Sequence, residues 1–554
     1  MLKRIPLWLW WLVAGLAWLA AAAVAWKLGH MGWAYALGGV EMMAVTFFGG
    51  MAVVRLLLRP GWALLGVART LIDEALRMKV ALVFLVALAM TLPVLPFVLD
   101  AEKSLAYRLQ TYLTWSIIVV STILGLMTVF LSCYTICNEI AKRQVYLSLT
   151  KPVGRGTYLA GKWLGIVLLD GVLLVVSMLA IGTFAKVLAT QPARDFGDYL
   201  AVNEQVLTAR SVVEPTPPGP DAFRQMFEQR ADQLRREDPG TYGEKLTQAQ
   251  ANAIAQQVRA RWHTLPPLNT REYQFTGLAR AKELGPAIQV RLKPNSGKPT
   301  PDGRVRLAMQ VNGRLWPEAS MDGSRPPGLV EIADETFHVM DIPTQFIDEQ
   351  GQVTLALANV NPLNPRATFD ASITFTPGEG LQLLYRVDTF EANLARATVI
   401  LWLRLCFVAM VGLAAGAFLG FPIAALLTLM VFAAASSSAF VSESLQFYAS
   451  FSPEPQLTAL QTLVAPFKMT YTHLSDGKLF DALKIWVRLI GEAFMALIPA
   501  LGKYSPDMLI GDGRVVPAAL VLEALWKIGV LWTGVVALLG YLIFRRRELA
   551  RVIV

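Results

Sequence analysis

Runs of about twenty consecutive apolar residues recur along this chain, and nothing else in the sequence limits its fold so strongly. Coiled as a helix, such a run rises about 30 Å, the thickness of the hydrocarbon core of a bilayer. The runs lie at about 5–26, 33–58, 80–99, 113–134, 163–190, 396–417, 421–441 and 515–544. Hydrophobic residues make up 55% of the 554 positions and charged residues 16%, against about 25% charged in an ordinary soluble domain. The charge deficit is confined to the runs, because residues 191–395 have soluble composition. These features predict a polytopic α-helical membrane protein of about eight spans, carrying a soluble domain of roughly 200 residues.

The net charge of +9 follows from topology rather than from nucleic-acid binding. Lys and Arg collect in loops, as they do on the cytoplasmic side of membrane proteins, and no basic patch interleaves with aromatic residues. The basic stretches are Lys3-Arg4, Arg55 to Lys79, Lys142 to Lys162, and Arg545-Arg546-Arg547. Eight spans put all four on one side and leave residues 191–395 on the other. An amphipathic stretch at 480–501 is therefore read as interfacial or re-entrant, since a ninth span would carry the triple arginine across. Residues 1–67 read as a transmembrane hairpin turning at Gly29 to Gly32, with a signal peptide as the alternative for 5–26. Ala68 to Lys79 alternates apolar and charged residues at helical spacing, as an amphipathic interfacial helix does.

The insert has two textures. Pro215, Pro217, Pro218 and Pro220 mark a linker, and 221–263 has a helical pattern with Asp221 as its candidate N-cap. Residues 272–385 are β-rich, with alternating runs at Ile288 to Leu292, Val305 to Met309 and Val353 to Leu357 separated by Gly, Pro and Asn. Strands at this spacing predict an α+β domain that is partly sandwich-like. All three cysteines, Cys133, Cys137 and Cys406, lie outside the insert, which therefore folds without disulfides.

The most informative segment is 138–165, which reads as a short cytoplasmic helix (136–152) between two spans. Ile140, Tyr146, Leu147 and Leu149 can pack down, Glu139, Lys142, Arg143 and Gln144 stay in water, and Pro152 stops the helix. Arg155 and Lys162 flank the return to the bilayer, within reach of lipid head groups. The order of residue types is an acid (Glu139), a basic pair (Lys142-Arg143), Tyr146-Leu147, Lys151-Pro152, then Tyr158-Leu159-Ala160-Gly161-Lys162. This resembles the ABC-2 type transporter permeases, in the branch of the nitrous-oxide accessory and gliding-motility permeases. The resemblance covers about 68–190 and 396–554, the two halves of a permease core.

The resemblance implies that the segment is a coupling helix seated on a separate ABC ATPase subunit. The residues it singles out are Glu139, Lys142, Arg143, Gln144, Tyr146, Leu149, Lys151, Pro152, Arg155, Tyr158 and Lys162. It also implies a second permease copy or paralogue and a bacterial cytoplasmic membrane, in which the basic stretches put both termini on the cytoplasmic side and the insert outside. ATP and Mg²⁺ would be bound by the partner, so the chain itself would be non-catalytic and without cofactor.

Other motifs carry less. Gly156-x4-Gly161-Lys162-Trp163 falls short of a phosphate-binding loop, because Trp163 stands where a metal-holding hydroxyl is needed. His30, His263, His338 and His473 have no metal-ligand spacing, and no nucleophile–base pattern marks an enzyme. Asp170 and Arg404 are charged residues within spans, expected to pair across the bundle. Gly412 and Gly416 favour close helix packing. Two functions fit: a permease subunit of an exporter, or a membrane-anchored protein that turns ATPase motion into mechanical work on the envelope.

Overall fold

Helices that are apolar on every side are stable only in lipid or deep within a bundle, and much of the chain is made of them. The computed structural model describes residues 18–98, 103–142, 154–319, 326–360, 371–447 and 499–546, apart from single positions and short gaps, with scattered positions in 467–491. Two compact units result, Met1–Ala209 with Thr389–Val554, and Arg210–Asp388.

The first unit begins with α1 (Met31–Leu57), α2 (Ala63–Arg77), α3 (Val80–Val98), α4 (Leu105–Ala141) and α5 (Arg155–Ala189). Helix α1 stops just short of Pro60, whose ring disfavours helix in the residue before it. Between α2 and α3 the chain bends by 61°, and Lys79 there takes a left-handed φ of 60°. Helix α2 is amphipathic as expected, and its apolar face, Ala68, Leu71, Ile72 and Ala75, is buried. That face meets α5, where Gly161 and Gly165 let the backbones touch. A Cβ on Gly161 would lie 2.9 Å from the Leu64 carbonyl, and one on Gly165 2.8 Å from that of Ala68.

Helix α4 has 37 residues, about 55 Å, and its first turn is capped from a distance. Asp198, in the short helix Phe196–Ala201, accepts the backbone N–H of Leu105 at 2.8 Å and of Ala106 at 2.9 Å. It also accepts the N–H of Arg194 at 3.0 Å.

The second unit contains α6 (Pro220–Glu237), α7 (Gln248–Trp262) and twelve short strands among the described residues. Gly219, not Asp221, is the N-cap of α6, because Pro220 takes the first helical position, where its missing N–H is harmless. Asp221 lies one residue inside. Ala231 and Leu234 of α6 pack with Ile254 and Val258 of α7.

The strands are β1 (Thr208–Val213), β2 (Thr264–Leu265), β3 (Thr270–Phe275), β4 (Ala287–Leu292), β5 (Pro294–Ser296), β6 (Arg304–Val311), β7 (Arg314–Leu315), β8 (Leu329–Ala333), β9 (His338–Pro343), β10 (Val353–Ala358), β11 (Ile373–Phe375) and β12 (Leu381–Thr389). They form sheets ordered β1-β12-β4-β9, β3-β10-β6-β7 with β8 also on β6, and β2-β11-β5. Alternation works as the sequence implies: Val305, Leu307, Met309 and Val311 of β6 point inward, as do Val353, Leu355 and Leu357 of β10. One apolar cluster draws on all three sheets.

The chain returns as α8 (Phe390–Gly416), α9 (Phe421–Ser436), α10 (Ser438–Phe447) and a final helix α11 (Ala518–Arg546) that is π-helical over Leu525–Trp532. Helix α8 is the most enclosed, with 89% of its apolar window buried. Gly412 faces Ser132 and Gly416 faces Cys133 and Cys137, so α8 and α4 meet along small residues.

Among the described residues, five helices are long and apolar enough to cross a membrane: Ala34–Leu57, α4, α5, α8 and α11. The bent pair α2–α3 makes a sixth if counted as one. Of the eight expected spans, the first lies mostly outside the described residues, as does the amphipathic stretch at 480–501. The seventh, 421–441, is instead broken at Ser437 into α9 and α10, and α9 alone has 16 residues, about 24 Å. The break has a cause: Ser438 turns inward to accept the N–H of Gly502, and Ser436 accepts from Arg404.

The Asp198 cap is testable. Burial by itself raises this carboxyl, but the N–H groups of Ala106, Arg194 and Leu105 outweigh it and hold the group below the ordinary carboxylate range. Its stabilisation is therefore fully present above about pH 4 and is lost as pH falls through the lowered folded value. Asp198→Ala should destabilise the helical unit by about 1–2 kcal/mol, the usual cost of a lost cap. Thermal unfolding in detergent at pH 7 measures it, and an unchanged midpoint would remove the cap from the account.

Candidate functional site

The sequence-singled segment runs from the end of α4 to the start of α5. Arg143, Gln144, Tyr146, Leu149, Lys151 and Pro152 lie outside the described residues, while its two anchoring ends are described. Lys142 is exposed at the C-cap of α4. Glu139, one turn back, is not in water as expected: its carboxylate accepts from Tyr158 Oη and from Lys162 Nζ, both on α5. A second acid joins from α2, with Glu74 Oε2 3.7 Å from the same ammonium.

Lys162 is 2% exposed and Tyr158 1%. Helical periodicity puts both on the face of α5 that looks inward, because 158 and 162 are one turn apart. Lys162 therefore does not reach lipid head groups. A buried ammonium needs counter-charge, and the two carboxylates supply it. Sequence reasoning missed Glu74. Its signal was an acidic pair, Asp73-Glu74, inside an otherwise basic stretch. Asp73 also has work, accepting Arg55 from the end of α1 at 2.7 Å.

Arg155 extends the junction to the last helix. Its Nη1 donates to the carbonyl oxygens of Phe544 at 2.9 Å and Arg545 at 2.7 Å. A cation at a helix C-terminus satisfies carbonyls that have no partner within the helix and meets the negative end of the dipole. Tyr158 stacks on Phe544, ring centroids 6.1 Å apart. The two ends of the 143–153 segment are thus fixed to α2, α4, α5 and α11 by side chains at a single junction.

Farther along, α5 and α8 are fastened reciprocally. Trp163 Nε1 donates to the Cys406 carbonyl at 2.9 Å, and Trp402 Nε1 donates to the Val167 carbonyl at 2.9 Å. Gly156 to Trp163 is continuous helix, so the resemblance to a phosphate loop has no loop behind it.

Asp170 and Arg404 are both buried, but they do not pair. Asp170 Oδ2 accepts from Thr128 Oγ1 at 2.9 Å, and Oδ1 has no partner among the described residues. Arg404 turns the other way, toward Ser505 Oγ at 3.3 Å and Ser436 Oγ at 3.4 Å. Ser436 ends α9 and Ser505 follows the turn Leu501–Tyr504, so hydroxyls from two separate segments, not Asp170, take the guanidinium. Asn393, which the sequence did not mark, clamps the approach to α11: it donates to the Arg514 carbonyl at 2.8 Å and accepts Val516 N–H at 2.7 Å. Of the four histidines, His263 lies against Trp262 and His338 accepts the Ala333 N–H at 3.0 Å. His30 and His473 lie outside the described residues. No three His, Cys, Asp or Glu residues gather as a metal site among the described residues.

Removing the ammonium should expose the junction's dependence on it. Lys162→Met leaves two facing carboxylates and should cost about 3 kcal/mol, the low end for a broken buried pair because the acids keep some water. Lys162→Met combined with Glu139→Gln should recover part of that loss. Apparent melting temperatures of the purified protein decide it, and a double variant no more stable than the single would count against the charge account.

Comparison with known proteins falls on this same region. Residues 37–209 match the family model described as ABC-2 family transporter protein. No curated protein and no solved structure matches the chain. The match runs from α1 through the start of β1, so it includes both anchoring ends of the 143–153 segment. Over residues 37–209 the chain is thus similar to the ABC-2 family transporter protein model, and that region holds helices long and apolar enough to cross a membrane.

Proposed function

We propose that this chain is the permease subunit of an ABC exporter, driven by a separate ATPase that docks on residues 143–153. The observation that carries the reading is the junction: Glu139, Tyr158 and Lys162 fix the two ends of that segment to each other, and Glu74 and Arg155 fix them to α2 and α11. A push on the segment then moves four helices together. ATP and Mg²⁺ belong to the partner, and the chain contributes no catalytic group. The chain acts in a bacterial cytoplasmic membrane, paired with a second copy or a paralogue, with its basic end and termini inside and residues 191–395 outside.

On this reading the eleven residues marked in the sequence serve two roles. Glu139, Arg155, Tyr158 and Lys162 hold the segment from within. Lys142, Arg143, Gln144, Tyr146, Leu149, Lys151 and Pro152 remain as the docking set.

A second reading is mechanical, in which ATPase motion reaches the envelope and nothing crosses the bilayer. It is favoured by two interior polar groups engaged by their own neighbours, Arg404 by Ser436 and Ser505 and Asn393 by the Arg514–Val516 backbone, and opposed by Asp170, whose Oδ1 is left without a partner among the described residues.

The test is copurification in mild detergent, followed by mass spectrometry of what accompanies the chain. A nucleotide-binding ATPase should copurify with the unaltered protein. Charge reversal at Lys142 and Arg143 should reduce its recovery at least tenfold while leaving the melting temperature within about 1 °C, since surface substitutions seldom matter to stability. An ATPase retained fully by the charge-reversed chain would overturn the docking assignment.

A further inference from the structure

An open groove of about 360 Å³ lies between α5 and α8 near the end at which α5 finishes and α8 begins. Its walls are apolar: Val175, Met178 and Leu179 on α5, Phe390 and Leu394 on α8. Gly182 is the gap that deepens it, since a Cβ there would stand 3.2 Å from Leu394. At the mouth, Lys186 Nζ and Glu391 Oε1 form an ion pair 2.5 Å apart, with side chains 58% and 60% exposed.

The dimensions are those of one leaflet. Val175 and Lys186 are about 16 Å apart along α5, half of the ~30 Å hydrocarbon thickness. Lys186 lies in the last turn of α5 and Glu391 in the first turn of α8, where spanning helices leave the hydrocarbon for the head groups, and the apolar slot runs from the pair toward the middle of both helices. Charge complementarity selects the occupant. A cation and an anion side by side match a head group that carries a phosphate and a protonated amine side by side. An exposed ion pair gives up little when it changes partners, so the two can open to admit such a group. The phosphate accepts from the ammonium and the lipid amine donates to the carboxylate, both as charge-assisted hydrogen bonds.

We propose that this groove is a binding site for an amine-bearing phospholipid of the phosphatidylethanolamine type, one acyl chain lying between α5 and α8 and the head group bridging Lys186 and Glu391. The site rests only on the chain being in a membrane and is independent of any ATPase. A choline head group, which has no N–H to donate, is bound less well, and a glycerol head group leaves Glu391 without a cation.

Native mass spectrometry of the delipidated full chain tests this, with phosphatidylethanolamine, phosphatidylcholine and phosphatidylglycerol of identical acyl chains as probes. The first adduct should form with phosphatidylethanolamine at a concentration about tenfold below that needed for the other two, as the loss of one charge-assisted hydrogen bond implies. Ala395 is exposed beside the slot, and Ala395→Trp should abolish that adduct. The pair Lys186→Gln with Glu391→Gln should erase the head-group preference while acyl binding persists, and it carries the test alone if the tryptophan variant does not fold. Equal adducts with all three lipids, or a phosphatidylethanolamine adduct unchanged in both variants, would overturn the proposal in favour of unselective boundary lipid. Disulfide cross-linking of Leu179→Cys between two copies in membranes would overturn it in favour of a second chain in the groove.

Discussion

The Lys162 ammonium is the point at which the basal end of the helical unit is tied together. An ammonium this far from water is untenable alone, and each of its carboxylates comes from a different helix, Glu139 from α4 and Glu74 from α2. The demand for counter-charge thus becomes a demand on helix position. Tyr158 and Arg155, one and two turns earlier on the same helix, extend the demand to Phe544 and Arg545 of α11. Groups as far apart in sequence as Glu74 and Arg545 are in this way held at one place.

Above that junction the association of helices has to come from other forces, because lipid is as apolar as the side chains it replaces. Two kinds of contact do the work. Small residues allow backbones to approach, as at Gly161 and Gly165 beneath α2 and at Gly412 opposite Ser132. Indole N–H groups then bridge α5 and α8 in both directions. Trp163 shows how one residue excludes one function and supplies another: it cannot hold a metal-bound phosphate, and it fastens two helices instead.

What could be read from the sequence was whatever has a period or a fixed solvent. The apolar runs announced helices because only a helix satisfies its own backbone in lipid, and the alternation at Val305 to Val311 announced a half-buried strand. The segment around Glu139 and Lys162 was visible as an order of residue types, but its partners were not. Glu74 meets Lys162 across 88 positions, and Asp198 caps α4 across 93, and no local pattern encodes such pairs. The Asp170–Arg404 expectation failed for the same reason. Complementary charge on neighbouring spans was legible, but Arg404 is drawn aside by Ser436 at the end of α9 and by Ser505, 101 positions away, and no local pattern announces either contact.

The elbow at Met78 and Lys79 has a mechanical consequence. Helix α2 is pressed backbone to backbone on α5 on one side of the elbow, while α3 departs at 61° on the other. A helix of 15 residues is an arm about 22 Å long. If α5 tilts by roughly ten degrees, an arm of that length swings its free end by about 4 Å. The bend then makes α2 a follower that turns a change in the inclination of α5 into a displacement of its own free end.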